Sequence, residues 1–310
     1  MPGRPDAAHA SSIRPNGATR GGDPPVVRLV VGATQTIYAP RRVHEATFAY
    51  GGDPAQRFDA YWTVRLGDPA GWAERRPGVL ILHGGYWLGG DKSTWRATAR
   101  RLAARGYVVF SANYRLSGRA PWPAQLQDAA AALGYIQRHA RTFRLDPRRM
   151  VVIGSSAGGQ LATMLGAVGG VNAPGARRLR GVVALSPVNA PYLAYVHGGR
   201  DDATARQRKL RRAVTRLVHC APGGLDAAAC LTRMGGATPR ITPAAVPMLF
   251  VHSRHDFVPV TQSAAVQDAL ALAGVSADLK SVPGARHGGG LLRVRRVYAM
   301  VVNWIDAVTS

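Results

Sequence analysis

The stretch "VVIGSSAGGQLA", residues 151–162, runs apolar, halts at a glycine, passes two serines, an alanine and two more glycines, and turns apolar again. A short apolar run before such a break reads as a buried strand, and the apolar run after it as a helix. The handover itself, Gly154-Ser155-Ser156-Ala157-Gly158, fits G-x-S-x-G with Ser156 at its centre. Centred on Ser155 the flanks become Ile153 and Ala157, and the pattern fails. A serine on a tight strand-to-helix turn holds its hydroxyl clear of the sheet, and flanking glycines remove side chains that would collide there. The same turn aims the backbone N–H of Ala157 at the place where a carbonyl oxygen gains charge. With 36 glycines in the chain an accidental match is easy, so the surrounding strand and helix carry the reading.

Outward from this turn, strand and helix patterns alternate. Strands are expected at 78–85, 107–115, 150–155, 181–187, 247–253 and 277–284. Helices are expected at 91–106, 122–143, 261–274 and 290–308, the first with Asp91 as N-cap and Gly106 as its stop. Such alternation predicts an α/β fold: a mostly parallel central sheet with helices on both faces. Two earlier β-rich runs, split by Gly-Gly-Asp-Pro at 51–54, predict an antiparallel N-terminal edge. Residues 188–246 separate two strands by far more than an ordinary loop and hold a basic helical pattern with Leu210, Val214 and Leu217 aligned. An insertion of that length reads as a helical cap or lid.

A nucleophilic serine needs a base, and the base an orienting acid, following it in the order acid then histidine. Asp256 lies in the polar turn after the strand ending "PMLFVHS", and His287 lies in the glycine-rich loop after "SVPG". With Ser156 they make three strand-end positions on the side where α/β sheets bind ligands. His252 falls inside its strand, His255 adjoins Asp256, and His197 and His219 belong to the insertion, so each reads as structural or surface. Asp226, Asp268 and Asp278 read the same way. "HGGYW", residues 83–87, follows another strand; the Gly85 and Tyr86 amides are expected to join Ala157 in an oxyanion hole. Gly84 is expected to shape the turn, His83 to tie the loop down, and Trp87 to wall a substrate pocket; Trp95 reads equally well as pocket or core.

Together these residues resemble the α/β-hydrolase superfamily, more narrowly the hormone-sensitive-lipase-like esterases, the feruloyl/acetyl-xylan esterase-like group and kynurenine formamidases. The resemblance covers about residues 43–308 and rests on "YGGDPAQRFDAY", "HGGYW", "NYRL", "DPRRMVVIGSSAGGQLA", "DFVP" and "GARHG". It implies an α/β-hydrolase fold in which Ser156 attacks an ester carbonyl, His287 shuttles the proton and Asp256 orients His287. It also implies structural roles for Asp128 and Asp146. "HGGYW" is the formamidase-like form, whereas "GSSAGGQLA" leans to the esterases. The expected activity is hydrolysis of carboxylic esters with short or medium acyl chains, through an acyl-enzyme and with no cofactor or metal. An N-formyl or aryl-amide hydrolase and a non-catalytic binding protein on the same fold are the alternatives.

The 310 residues carry a formal charge of +23, nearly all from arginine. The arginines are spread over the chain with few aromatics among them, so a solvated basic surface is expected, not nucleic-acid binding. The expected partner is a small-molecule ester. No run approaches the ~20 apolar residues of a membrane span. Residues 1–25 read as a disordered basic tail without a signal-peptide core, followed by one domain over 26–310. As written, the chain is expected in the cytoplasm. A misassigned start, with Cys220 and Cys230 joined, would instead make it secreted.

Overall fold

The computed structural model describes residues 42–64, 75–170, 176–223 and 226–310. The expected tail at 1–25 lies outside the described residues. Eight strands form one sheet in the order β1-β2-β4-β3-β5-β6-β7-β8. They are β1 (Arg42–Ala49), β2 (Arg57–Val64), β3 (Arg76–Leu82), β4 (Val108–Ala112), β5 (Leu145–Ser155), β6 (Gly181–Leu185), β7 (Met248–Ser253) and β8 (Ala277–Val282). β1 and β2 pair antiparallel with each other, and β2 pairs antiparallel with β4; every other neighbour pair is parallel. The antiparallel N-terminal edge expected from the sequence is therefore present.

The strands' apolar runs follow from burial on both faces. Leu80, Leu82, Val152, Ala184 and Phe250 face one core, shared with α2 (Ala124–Arg138), α4 (Ala157–Ala167) and α8 (Thr261–Leu272). Their neighbours Val79, Ile81, Ile153, Leu185 and Val251 face the other, shared with α1 (Arg96–Ala104) and α9 (Arg295–Thr309). Successive side chains of a strand point to opposite faces, so each run fills both cores at once. Each fully buried aliphatic side chain contributes about 1.5–3 kcal/mol. A single-turn helix, α3 (Ala140–Phe143), follows α2, so the helical pattern expected over 122–143 is broken at His139. β5 begins five residues before the expected Met150, because Asp146, Pro147, Arg148 and Arg149 hide its start from an apolar count.

Between β6 and β7 the chain forms the helical cap: α5 (Pro191–His197), α6 (Ala205–Val218) and α7 (Ala227–Gly236). Thr204 and Gln207 close a reciprocal capping box at the start of α6. Leu210, Val214 and Leu217 of α6 and Met234 of α7 pack on Trp87, Ala157 and Val258, so the cap sits over the turn at Ser156. A disulfide joins Cys220 to Cys230 and clips the end of α6 to α7. Among the described residues no helix is long and apolar enough to cross a membrane.

Candidate active site

Register places the site. Leu82, Gly154 and Ala184 stand level across β3, β5 and β6, and Leu185 stands level with Val251 of β7. The loops leaving these strands emerge together at the carboxyl edge of the sheet. Ser156 has φ 54 and ψ −114, a strained conformation for a residue with a side chain. Its N–H donates to Leu185 O at 2.8 Å, which pins the turn to β6. A β-carbon on Gly154 would lie 2.2 Å from Gly158 O, and one on Gly158 2.3 Å from His83 O. Both glycines are thus required for α4 to start this close to β3 and β5.

The two serines have different surroundings. Ser155 Oγ accepts from the Gly289 N–H at 2.9 Å and so straps the His287 loop to β5. Ser156 Oγ has no hydrogen-bond partner among the described residues. A β-carbon on Gly288 would fall 3.9 Å from Ser156 Cβ, so the loop that carries His287 lies against the serine turn. Gly288 itself has φ 54.

His287 Nδ1 donates to Asp256 Oδ1 at 2.8 Å, with Oδ2 at 3.1 Å. The Asp256 side chain is fully buried, whereas that of His287 is 22% exposed. Asp256 Oδ1 also accepts from the Val258 N–H at 3.1 Å, and Oδ2 accepts from Ser186 Oγ at 2.5 Å. Ser186 Oγ in turn accepts from the Gly288 N–H at 3.0 Å. Ser186, just past β6 at φ 47, therefore braces the acid and the histidine loop together. It was not singled out from the sequence; its signal there is only a serine at a strand end, before Pro187. The two loops are also zipped by Arg254 N–H to Val282 O, His255 N–H to Gly284 O and Ser253 Oγ to Arg286 O.

On the other side, the 83–87 loop lies against the same turn: a β-carbon on Gly84 would be 2.9 Å from Ser155 O and 3.1 Å from Ser156 Cβ. The Gly85, Tyr86 and Ala157 amides donate to no acceptor among the described residues. The loop is held by its own bonds. Gly85 O accepts from Leu88 and Gly89, Trp87 O from Ser117, and His83 O from the Tyr114 hydroxyl. His83 Nδ1 bonds Gly84 O at 2.8 Å, and the ring stacks on Tyr114; burial pushes its pKa down. His83 is thus the tie it was expected to be. Gly85 has φ 129, Tyr86 φ 60 and Trp87 φ 57, so the loop is bent through three successive left-handed residues.

Trp87 departs from its expected role. Its ring is wholly buried, donates from Nε1 to Gln160 Oε1 at 3.0 Å and packs under the cap, which leaves no surface to wall a pocket. Trp95 is buried against the His287 loop, in contact range of Gly289. The edge of the site belongs instead to the half-buried Tyr86 and Phe257. Their ring centroids are 6.1 Å apart, and Phe257 lies 4.3 Å from the His287 ring. Sequence reasoning missed Phe257, though it adjoins Asp256.

The remaining residues are structural. His252 Nε2 bonds Ser263 Oγ at 2.9 Å and Nδ1 faces Val258 O at 3.2 Å; burial lowers its pKa to about 4. Asp128 is buried and takes Arg115 through both Nε and Nη2 as well as Gln56 Nε2. Asp146 Oδ1 accepts from the Arg148 N–H. Among the described residues there is no cluster of three or more His, Cys, Asp or Glu able to hold a metal.

The BD-FAE family model matches residues 67–179, and the prolyl oligopeptidase family model matches residues 233–310. The fold superposes on esterase B from Lactobacillus rhamnosis with TM-score 0.68 at 21% identity, covering 88% of each chain. The chain has the α/β-hydrolase fold. The fold also superposes on a bacterial heroin esterase, with TM-score 0.69 at 22% identity over 87% of this chain and 85% of that one. Among curated proteins, esterase LipC of Mycobacterium tuberculosis is 28% identical over 260 residues, 81% of this chain and 61% of LipC. Carboxylesterase NlhH of the same species is 33% identical over 125 residues, 40% of this chain and 37% of NlhH. The chain thus spans less than two thirds of the length of these curated relatives.

Proposed function

We propose that this α/β-hydrolase cleaves carboxylic esters through an acyl-enzyme on Ser156. The observation that carries the reading is the hydrogen bond from His287 to the buried Asp256, on a loop strapped to the serine turn itself. Asp256 holds the His287 ring with its Nδ1–H directed at the carboxylate, which leaves Nε2 as the basic nitrogen. Nε2 takes the Ser156 proton as Oγ adds to the ester carbonyl. The Gly85, Tyr86 and Ala157 amides stabilise the oxyanion, each such donor being worth about 100- to 1000-fold in rate. His287 then protonates the leaving alcohol, and a water activated by the same nitrogen releases the acid. LipC, NlhH and esterase B are named as esterases, which supports ester hydrolysis as the reaction.

The test separates the two serines. Ser156→Ala should lower kcat toward p-nitrophenyl acetate and butyrate by about 10⁴-fold or more, with an unchanged melting temperature. Ser155→Ala, which loses the strap to Gly289 but not the nucleophile, should lower kcat far less than Ser156→Ala, and a fluorophosphonate should label Ser156 alone. A Ser156→Ala protein with wild-type kcat would sink the proposal. Formanilides in the same panel decide between ester and amide: turnover of formanilides above that of acetates would replace esterase with amidase.

A further inference from the structure

Cap helix α6 carries six basic residues and no acidic one. Arg206 and Lys209 are three apart, hence on one face. That face meets the mouth of the site: the Arg206 guanidinium carbon lies 5.8 Å from the Phe257 ring centroid, and Lys209 Nζ lies 4.8 Å from that of Tyr86. Neither cation has an ion-pair partner among the described residues, and both are exposed. Their neighbours on the helix are committed elsewhere. Arg211 bonds the Tyr195 carbonyl and hydroxyl and lies over its ring, and Arg208 bonds the Ala203 carbonyl. Arg206 also counters the burial that pushes the Tyr86 hydroxyl upward, so its charge is felt inside the mouth.

We propose that Arg206 and Lys209, above the Tyr86–Phe257 rings, form an anion subsite that selects esters whose alcohol half bears a carboxylate. This rests on the esterase reading above. The side is set by chemistry: His287 protonates the leaving alcohol, so that half lies on the histidine's side, where Phe257 and then Arg206 follow. A flat alcohol half would stack on Phe257 and place its carboxylate one ring beyond His287, at the two cations. Desolvation is partial at this open mouth, so the gain is modest and screened by salt.

The test compares 4-acetoxybenzoate with its neutral analogue 4-acetoxybenzamide, which share the acetyl group. For the wild-type protein at low ionic strength, kcat/KM should favour the benzoate. In Arg206→Gln/Lys209→Gln the benzoate-to-benzamide ratio should fall about tenfold, equivalent to ~1.4 kcal/mol, through a higher KM for the benzoate. Arg206→Lys with Lys209 intact should retain the preference, and half-molar salt should erase most of it in the wild type. Hydrolysis of both esters with a ratio that neither the double substitution nor salt changes overturns the subsite and leaves the esterase standing. No turnover of either ester, nor of p-nitrophenyl acetate, overturns the esterase reading and the subsite with it.

Discussion

Of two adjacent hydroxyls only Ser156 occupies the strained bend; Ser155 is spent on the Gly289 amide. The glycine spacing alone distinguished them, because steric clearance on either side of a bend is a local property. Ser186 could not be found that way. Its role depends on β6 lying between β5 and β7, which is a matter of strand order. Ser186→Ala would leave Asp256 Oδ2 with only its longer contact to His287 Nδ1 and the Gly288 amide without its acceptor. An unmet buried group of this kind costs about 1–3 kcal/mol. The expected outcome is a kcat lowered roughly tenfold to hundredfold with KM held, and partial recovery in Ser186→Thr, measured on p-nitrophenyl butyrate. Trp87 failed as a pocket residue for the opposite reason: position after a strand end says where the backbone goes, not which way a large ring turns.

The elements most legible in the sequence were the central strands, since a strand covered on both faces must be apolar throughout. The cap was legible as an excess of residues and as the one amphipathic helix, α6; α5 and α7 went unread because short helices leave too few turns for a periodic stripe. Strand order left no local mark at all. The β5–α4 corner is where close approach matters most. Gly154→Ala would press a methyl onto Gly158 O and push α4 outward, displacing the Ala157 amide. Overpacking of this kind costs typically 1–3 kcal/mol, and losing one oxyanion donor costs about 10²-fold or more in kcat. Both should be seen, as a lower melting temperature and a loss of turnover in whatever remains folded.

For the molecule as a whole, acid is the expected weakness. His252 titrates near 4 in the fold against 6.5 for the free side chain, and burial lowers His83 as well. Between those values the unfolded chain binds protons that the native state does not, so stability rises with pH. The contribution is complete above about pH 6.5 and is lost as pH falls through 4, each pH unit of that window removing up to roughly 1.4 kcal/mol. Urea unfolding from pH 7 down to 5 should show a falling midpoint, with a shallower fall in His252→Asn; equal slopes would remove His252 as the cause. Strand order carries one more consequence. The proposed catalytic groups come from the ends of β3, β5, β7 and β8, and β8 is an outermost strand of the sheet. Such far-separated pairings are slow to form. Turnover by the proposed triad would therefore require these distant pairings to be complete, making it a sharper reporter of a finished sheet than helix content.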